Sequence, residues 1–428
     1  MKSDVTSKNR ISKKREEMSR LDELIKELCP NGVEYKELWE IVKSQRGKTI
    51  TKELIKDGDI PVISGGQKPA YYHNESNRKG EVITVAGSGA YAGFVMYWDK
   101  PIFVSDAFSI ECDKSYLNIK YIYYFLQNNQ MKIHSLKKGG GVPHVYFKDM
   151  QKFLVPVPPL EVQNEIVRIL DNFTALTAEL TTELTARKKQ YSWYRDYLLK
   201  FENKVEIVKL KDIATEMYRG NGIKREEVRE TGIPCVRYGE IYTEYGISFE
   251  ETKSYTDENL ITNKKYIEYG DILFAITGES VEEIGKSTAY IGKEKCLVGG
   301  DILVMKHKQD PVYLSYVLST ENAQKQKSKG KIKSKVVHTN ATDIGEIEIP
   351  LPPLEVQKRI VEVLDNFEKI CNDLNIGLPA EIEARQKQYE FYRNFLLTFN
   401  NEEIYALSKQ ASKQASKQAS KQASKPKI

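Results

Sequence analysis

Between Val33 and about Val155 the apolar residues come in short runs cut by glycine turns: IPVIS at 60–64, EVITVAG at 81–87, FVMYW at 94–98 and PIFVSDAFSI at 101–110. Runs of that length bounded by turn residues predict β-strands, while the amphipathic YIYYFLQ at 121–127 predicts a helix. Residues 202–349 repeat this order, with VKLKDIA from 208, IPCVRYG from 233, GDILFAIT from 270, LVGGDILVM from 297 and YLSYVLS from 313. After each strand-rich stretch the spacing turns helical. Ile169, Phe173, Leu176 and Leu180 step by four, three and four, and Leu184, Arg187, Tyr191, Tyr194, Leu198 and Phe201 continue as a coiled-coil seam with a stutter near Leu184. The distal copy runs Ile360, Leu364, Phe367, Ile370, Leu374, Leu378, Ile382, Arg385, Tyr389, Tyr392, Leu396 and Phe399. It is four residues longer, and Gly377-Leu378-Pro379 predicts a bend or break in it.

These two helical segments are duplicates. PVPPLEVQNEIVRILDNF from Pro156 returns as PLPPLEVQKRIVEVLDNF from Pro350, with 13 of 18 positions identical at an offset of 194 residues. RKKQYSWYRDYLLKF from Arg187 likewise returns as RQKQYEFYRNFLLTF from Arg385. Landmarks in the strand-rich parts drift in offset, from 172 (Leu38 to Leu210) through 190 (Gly80 to Gly270) to 194 (His144 to His338), so the two domains share a fold and differ by loop insertions.

The fold class expected is therefore α+β: two similar β-rich α/β globular domains separated by two long helices that form an antiparallel coiled coil, a pseudo-two-fold internal repeat. The expected divisions are an N-terminal extension at 1–17, a first domain at 18–155, a central helix at 156–201, a second domain at 202–349, a distal helix at 350–400 and an SKQA-repeat tail at 401–428. Both ends read as disordered, being polar and short of anything apolar to bury. Ser19 is placed to cap a short helix over LDELIKEL, stopped at Pro30-Asn31-Gly32. The helix seam assigns pairing or subunit docking to Leu170, Phe173, Leu180, Leu184, Tyr191, Tyr194 and Leu198, and to Leu364, Phe367, Leu374, Tyr389, Tyr392 and Leu396. A helix from Leu160 to Phe201 would be roughly 60 Å long at about 1.5 Å per residue, a rod suited to holding two domains at a set distance.

Composition narrows the classes. No run of 18 apolar residues exists for a membrane span, and no apolar block follows the basic N-terminus as a secretory signal requires. Five single cysteines and five dispersed histidines fit a reducing cytoplasm and no metal site. The net charge of +5 misleads, because residues 1–20 and 401–428 each carry +4 and the body is left at −3. Only local basic patches can speak for nucleic acid.

Catalytic motifs are missing. Gly285-Lys286-Ser287 and Gly47-Lys48-Thr49 lack the first glycine of a phosphate-binding loop, having Ser280 and Val42 in its place. The glycine-rich Gly87–Gly93 turn is off the dinucleotide fingerprint, and no HExxH, GxSxG or methyltransferase tetrad of Asn/Asp-Pro-Pro-aromatic appears. No catalytic or metal-ligating residue is assigned. Chemistry suited to DNA is present. Lys325, Lys327, Lys329, Lys331, Lys333 and Lys335 alternate just before His338, and in an extended loop would share one face toward phosphates. Lys137-Lys138-Gly139-Gly140-Gly141 holds the same place before His144. Further DNA-binding candidates in the first domain are Arg46, Lys48, Ser64, Gly65, Gln67, Lys68, Tyr71, Tyr72 and His73. Arg219, Asn221, Lys224, Arg237 and Tyr238 occupy the corresponding segments of the second. Arg, Gln and Asn can read base edges, whereas Lys mostly positions through phosphate.

Two dissimilar β-rich domains alternating with duplicated PPLEVQ helices resemble the specificity subunit of a type I restriction-modification enzyme, from Met18 to about Phe399. The four-residue repeat Thr177-Ala178-Glu179-Leu180, Thr181-Thr182-Glu183-Leu184 is similar to the spacer repeat of some members. The resemblance implies two target-recognition domains, each reading one half of a split, asymmetric site in double-stranded DNA. It further implies helices that dock two methyltransferase subunits, and restriction subunits that add translocation and cleavage. S-adenosylmethionine, for adenine methylation, and ATP with Mg would then belong to those partners, with no cofactor in this chain. A coiled-coil scaffold whose β domains bind protein is the alternative; the basic loop recurring in both domains argues against it.

Overall fold

The computed structural model describes residues 20–201, 204–332, 336–372 and 377–399. The expected disordered segments 1–17 and 401–428 lie outside them. The chain divides into two compact units, Met1–Glu179 with Ile382–Ile428, and Leu180–Glu381. The units are thus not consecutive stretches: each takes one globular part and half of each helical repeat.

In unit one the strands are β1 (Tyr35–Glu37), β2 (Val42–Arg46), β3 (Ile60–Ile63), β4 (Tyr71–His73), β5 (Val82–Ala86), β6 (Val95–Trp98), β7 (Phe103–Val104), β8 (Ala107–Cys112) and β9 (Leu154–Pro156). One antiparallel sheet has the order β2-β8-β5-β6, and a second has the order β4-β3-β7 with β3 and β7 parallel. The single strand expected over 101–110 is two, β7 and β8, because at Ser105-Asp106 the chain leaves one sheet for the other. Unit two repeats this plan with more strands. Ala214–Arg219, Ile302–His307, Ile272–Ala275, Ser287–Tyr290 and Ser248–Phe249 form one sheet in that order. Ile233–Val236 and Cys296–Val298 lie parallel in the other, as β3 and β7 do, and Gly299–Asp301 makes the crossing between sheets.

The helices relevant here are α1 (20–28), α2 (Ile119–Asn128), α3 (Leu160–Leu198), α4 (Pro311–Leu318), α5 (Glu321–Ser328), α6 (Leu354–Asn372) and α7 (Leu378–Thr398). The distal repeat is thus two helices, α6 and α7, with Gly377 between them at φ +86°, a left-handed conformation that suits glycine. Leu374 lies outside the described residues.

The sequence PPLEVQ makes the same junction twice. Gln163 and Gln357 are fully buried. Gln163 Nε2 donates to Pro158 O at 2.7 Å and its Oε1 accepts from Asn118 N at 2.8 Å, just before α2. Gln357 repeats both bonds, to Pro352 O at 2.8 Å and from Asp310 N at 3.1 Å, just before α4. The buried Tyr121 and Tyr313 hydroxyls each donate 2.9 Å bonds to Pro156 O and Pro350 O. Tyr124 donates to Asp171 at 2.5 Å and Tyr316 to Asp365 at 2.7 Å. A domain and the helix leaving it are therefore locked together by buried polar side chains, each with its partner.

Within each unit the paired helix segments run antiparallel. In unit one Phe173 stacks on Tyr392 at 5.2 Å, while Tyr35, which pairs with Pro156 just before α3, donates to Thr398 O at 2.6 Å. In unit two the equivalent rings, Tyr194 and Phe367, stack at 5.8 Å. Further along, burial raises the Cys371 thiol pKa while Lys188 and Arg187 beside it pull the other way. Leu170, Leu180, Tyr191, Leu364 and Leu396 are buried, and Leu184, Leu198, Tyr194, Phe367, Tyr389 and Tyr392 half-buried, as a two-helix seam requires.

Candidate nucleic-acid interface

Both sheets of each unit end where the chain crosses between them, and the same backbone bonds build that edge twice. In unit one Gly47 N donates to Ala107 O at 2.8 Å, Gly87 N to Asp106 O at 3.1 Å and Val145 N to Gly87 O at 3.0 Å. In unit two Gly220 N donates to Ile302 O at 2.9 Å, Ile276 N to Asp301 O at 3.0 Å and Thr339 N to Ile276 O at 3.0 Å. Arg46 ends β2 opposite Phe108, and Arg219 ends its strand opposite Leu303, the equivalent position. The glycine after each arginine is obligatory: a Cβ at Gly47 would meet Ser105 O at 2.1 Å, and one at Gly220 would meet Gly299 O at 2.1 Å.

In unit one a cavity of about 150 Å³ at this edge is lined by Arg46, Asp106, His144 and Tyr146. His144 stacks flat on Tyr146, and Ser88 donates to Asp106. In unit two a cleft of about 1070 Å³ opens beside Arg219, Asn221, Arg225, Arg237, Tyr238 and Lys253. Arg219 donates to Asp301 at 2.5 Å and Arg237 to the buried Glu240 at 2.9 Å. Thr277 and His338 share a hydrogen bond of 3.1 Å. The arrangement offers an exposed Arg46, an exposed Arg219 held by Asp301 and a half-buried Arg237 held by Glu240, the chemistry that grips phosphates and guanine edges.

The structure gathers some expected residues here and removes others. Arg46, Lys48, Ser64, Gly65 and His144 belong to this edge in unit one, and Arg219, Asn221, Arg237, Tyr238 and His338 in unit two. Gln67, Lys68, Tyr71, Tyr72 and Lys224 are exposed. His73 is not a surface residue: it is buried, accepts from Lys56 N at 3.1 Å and packs edge-on to Phe103. The alternating lysines do not share a face, because Lys325 and Lys327 lie in α5, where a spacing of two puts side chains on different sides. Lys327 points into the core, donating to Leu318 O at 2.7 Å, and burial pushes its pKa down to about 7. Lys325 pairs with Glu321 at 2.7 Å and Lys331 with Asp343 at 2.6 Å, while Lys329 is exposed. Lys333 and Lys335 lie outside the described residues. Lys137 donates to Ala90 O at 2.7 Å and Lys138 pairs with Asp149, beside Gly139 at φ +110°. Sequence reading missed Ser88, Asp106, Thr277 and Asp301. The signal available was SDAFSI against GGDILV, an aspartate at the same place before a central strand.

The family described as type I restriction modification DNA specificity domain matches residues 30–187 and again 202–384. The chain belongs to that family. Its specificity role is DNA recognition rather than catalysis, which agrees with the geometry of the edge. The chain is 31% identical over 412 residues to the EcoR124I/EcoR124II type I restriction enzyme specificity subunit of Escherichia coli, covering 90% of this chain and 99% of that one. It is 28% identical over 386 residues to a putative type I specificity subunit of Haemophilus influenzae, covering 86% and 96%. In fold it is similar to the S subunit of a type I restriction-modification system from M. genitalium, with TM-score 0.52 at 17% identity, 86% of this chain and 97% of that one being covered. A chain from a structure of type I complex assembly and conformational transition gives TM-score 0.55 at 16% identity, with 86% and 98% covered. A scaffold that reads no DNA is not favoured for a specificity subunit. No helix among the described residues is long and apolar enough to cross a membrane.

Proposed function

We propose that each unit of this specificity subunit reads one half of a split, asymmetric sequence in double-stranded DNA. The two helical repeats dock two methyltransferase subunits for adenine methylation, and restriction subunits join to translocate and cleave. S-adenosylmethionine and ATP with Mg are held by those partners in the cytoplasm, and this chain binds neither. The observation that carries the reading is the contrast within the edge. Two units share one backbone frame, yet Lys48 stands where Asn221 does and Ser64 where Arg237 does. Different hydrogen-bonding groups on one frame suit two different half-sequences.

The test is the methylome of cells carrying this chain with its methyltransferase. A gapped adenine motif is expected, and exchanging residues 202–349 for another reader should rewrite one half while leaving the other. Rewriting of both halves, or ungapped methylation, would overturn the assignment of one half to each unit.

A further inference from the structure

Some side chains at the sheet-crossing edge vary between the units and others do not. The constant set is Arg46 with Arg219, Asp106 with Asp301 and His144 with His338, with a hydroxyl kept at Ser88 and Thr277, each pair in the same backbone frame. This persistence is selective, because loops around it differ in length and Lys48 and Ser64 have been replaced by Asn221 and Arg237. Stability does not explain the arginines. Arg46 is exposed and makes no ion pair among the described residues, and the Arg219 side chain is 63% exposed in its pair with Asp301. Exposed ion pairs contribute little to folding.

A group identical in two readers of different sequences cannot be what distinguishes those sequences. What two half-sites share at one place is the sugar-phosphate backbone, which positions a protein without carrying sequence information. The glycine following each arginine lets the strand end lie against the sheet crossing, so both arginines leave the backbone at the same point of the frame. Asp301 holds Arg219 in place at 2.5 Å, and in unit one Asp106 is occupied by Ser88.

We propose that Arg46 and Arg219 are equivalent phosphate contacts, one per half-site, that set the register of each unit on DNA and read no base. This rests on the split-site reading above and divides the edge into a constant grip and variable readers.

The experiment uses the complete complex of this chain with its methyltransferase subunits. Arg46→Ala and Arg219→Ala are each compared with the unchanged chain for DNA affinity across a salt series, and for the methylated motif in cells. Each variant should lower the slope of log affinity against log salt by about 0.9, with every letter of the motif retained. Arg46→Lys and Arg219→Lys should restore the slope, since an ammonium serves a phosphate but not a bidentate base contact. Arg219→Gln, which keeps a hydrogen-bond donor for Asp301, separates loss of charge from loss of local order. A changed or relaxed base in either half, or an unaltered salt slope, overturns the proposal. Failure of the split-site reading itself would show differently, as an unchanged complex that leaves no gapped motif.

Discussion

Lys327 shows how one residue can invert its expected role. A lysine in a basic run is expected in solvent, but here it is 3% exposed and donates to Leu318 O at 2.7 Å, with Ser287 Oγ at 3.4 Å. Burial favours the neutral amine and pushes the pKa from 10.5 to about 7. The unfolded chain then binds more protons than the folded one between about pH 7 and 10.5, so this group's contribution makes stability rise with pH across that window. Lys327→Met removes the titration. Its melting temperature relative to the unchanged chain should be highest near pH 7 and fall steadily toward pH 10, measured by thermal unfolding at each pH. A pH-independent difference would mean the amine stays charged in the fold.

At the scale of elements, the duplicated PPLEVQ run is a joint. Its glutamine is buried because it bonds the carbonyl two residues after the strand and the amide just before the domain helix, and Gln163 donates to Tyr116 O at 3.0 Å as well. Gln163→Ala would remove its bonds to Pro158 O, Tyr116 O and Asn118 N, and a buried polar group left unpaired costs about 1–3 kcal/mol. The cost should fall on one unit: hydrogen exchange should quicken at the start of α2 and not at α4, and Gln357→Ala should do the reverse. Equal effects in both places would show that the joints are not separate. The same repeats end on Phe201 at φ +53° and Phe399 at φ +45°, left-handed positions where glycine is usual. Both rings pack on their unit's core, and that burial offsets the strain.

At the scale of the molecule, α3 passes without interruption from Leu160 to Leu198 through the Thr-Ala-Glu-Leu repeat. Inserting one more four-residue copy lengthens a helix by roughly 6 Å and turns its far end by about 40°. DNA turns about 34–36° per base pair, taking 10–10.5 pairs per turn. One inserted copy should therefore widen the gap in the methylated motif by one base pair with both half-sequences unchanged, as read from the methylome. A gap that stays the same would refute spacing by helix length.

Sequence alone determined what depends on periodicity and repetition: strands and helices by their spacing, the two-fold repeat by 13 identical positions in 18, and helix pairing by the seam. Those signals are local or carried by comparison of the chain with itself. Tertiary structure decided which polar residues are free to act. Whether Lys327 meets solvent depends on how α5 rolls against its sheet, and whether His73 is a surface ring depends on Phe103, 30 residues away. The linear chain places Arg46 and Arg219 in corresponding segments, and strand register then aligns them residue for residue. The sharing of each helical repeat between two units was likewise invisible, because burial is set by distant chain segments meeting in space rather than by neighbours in sequence.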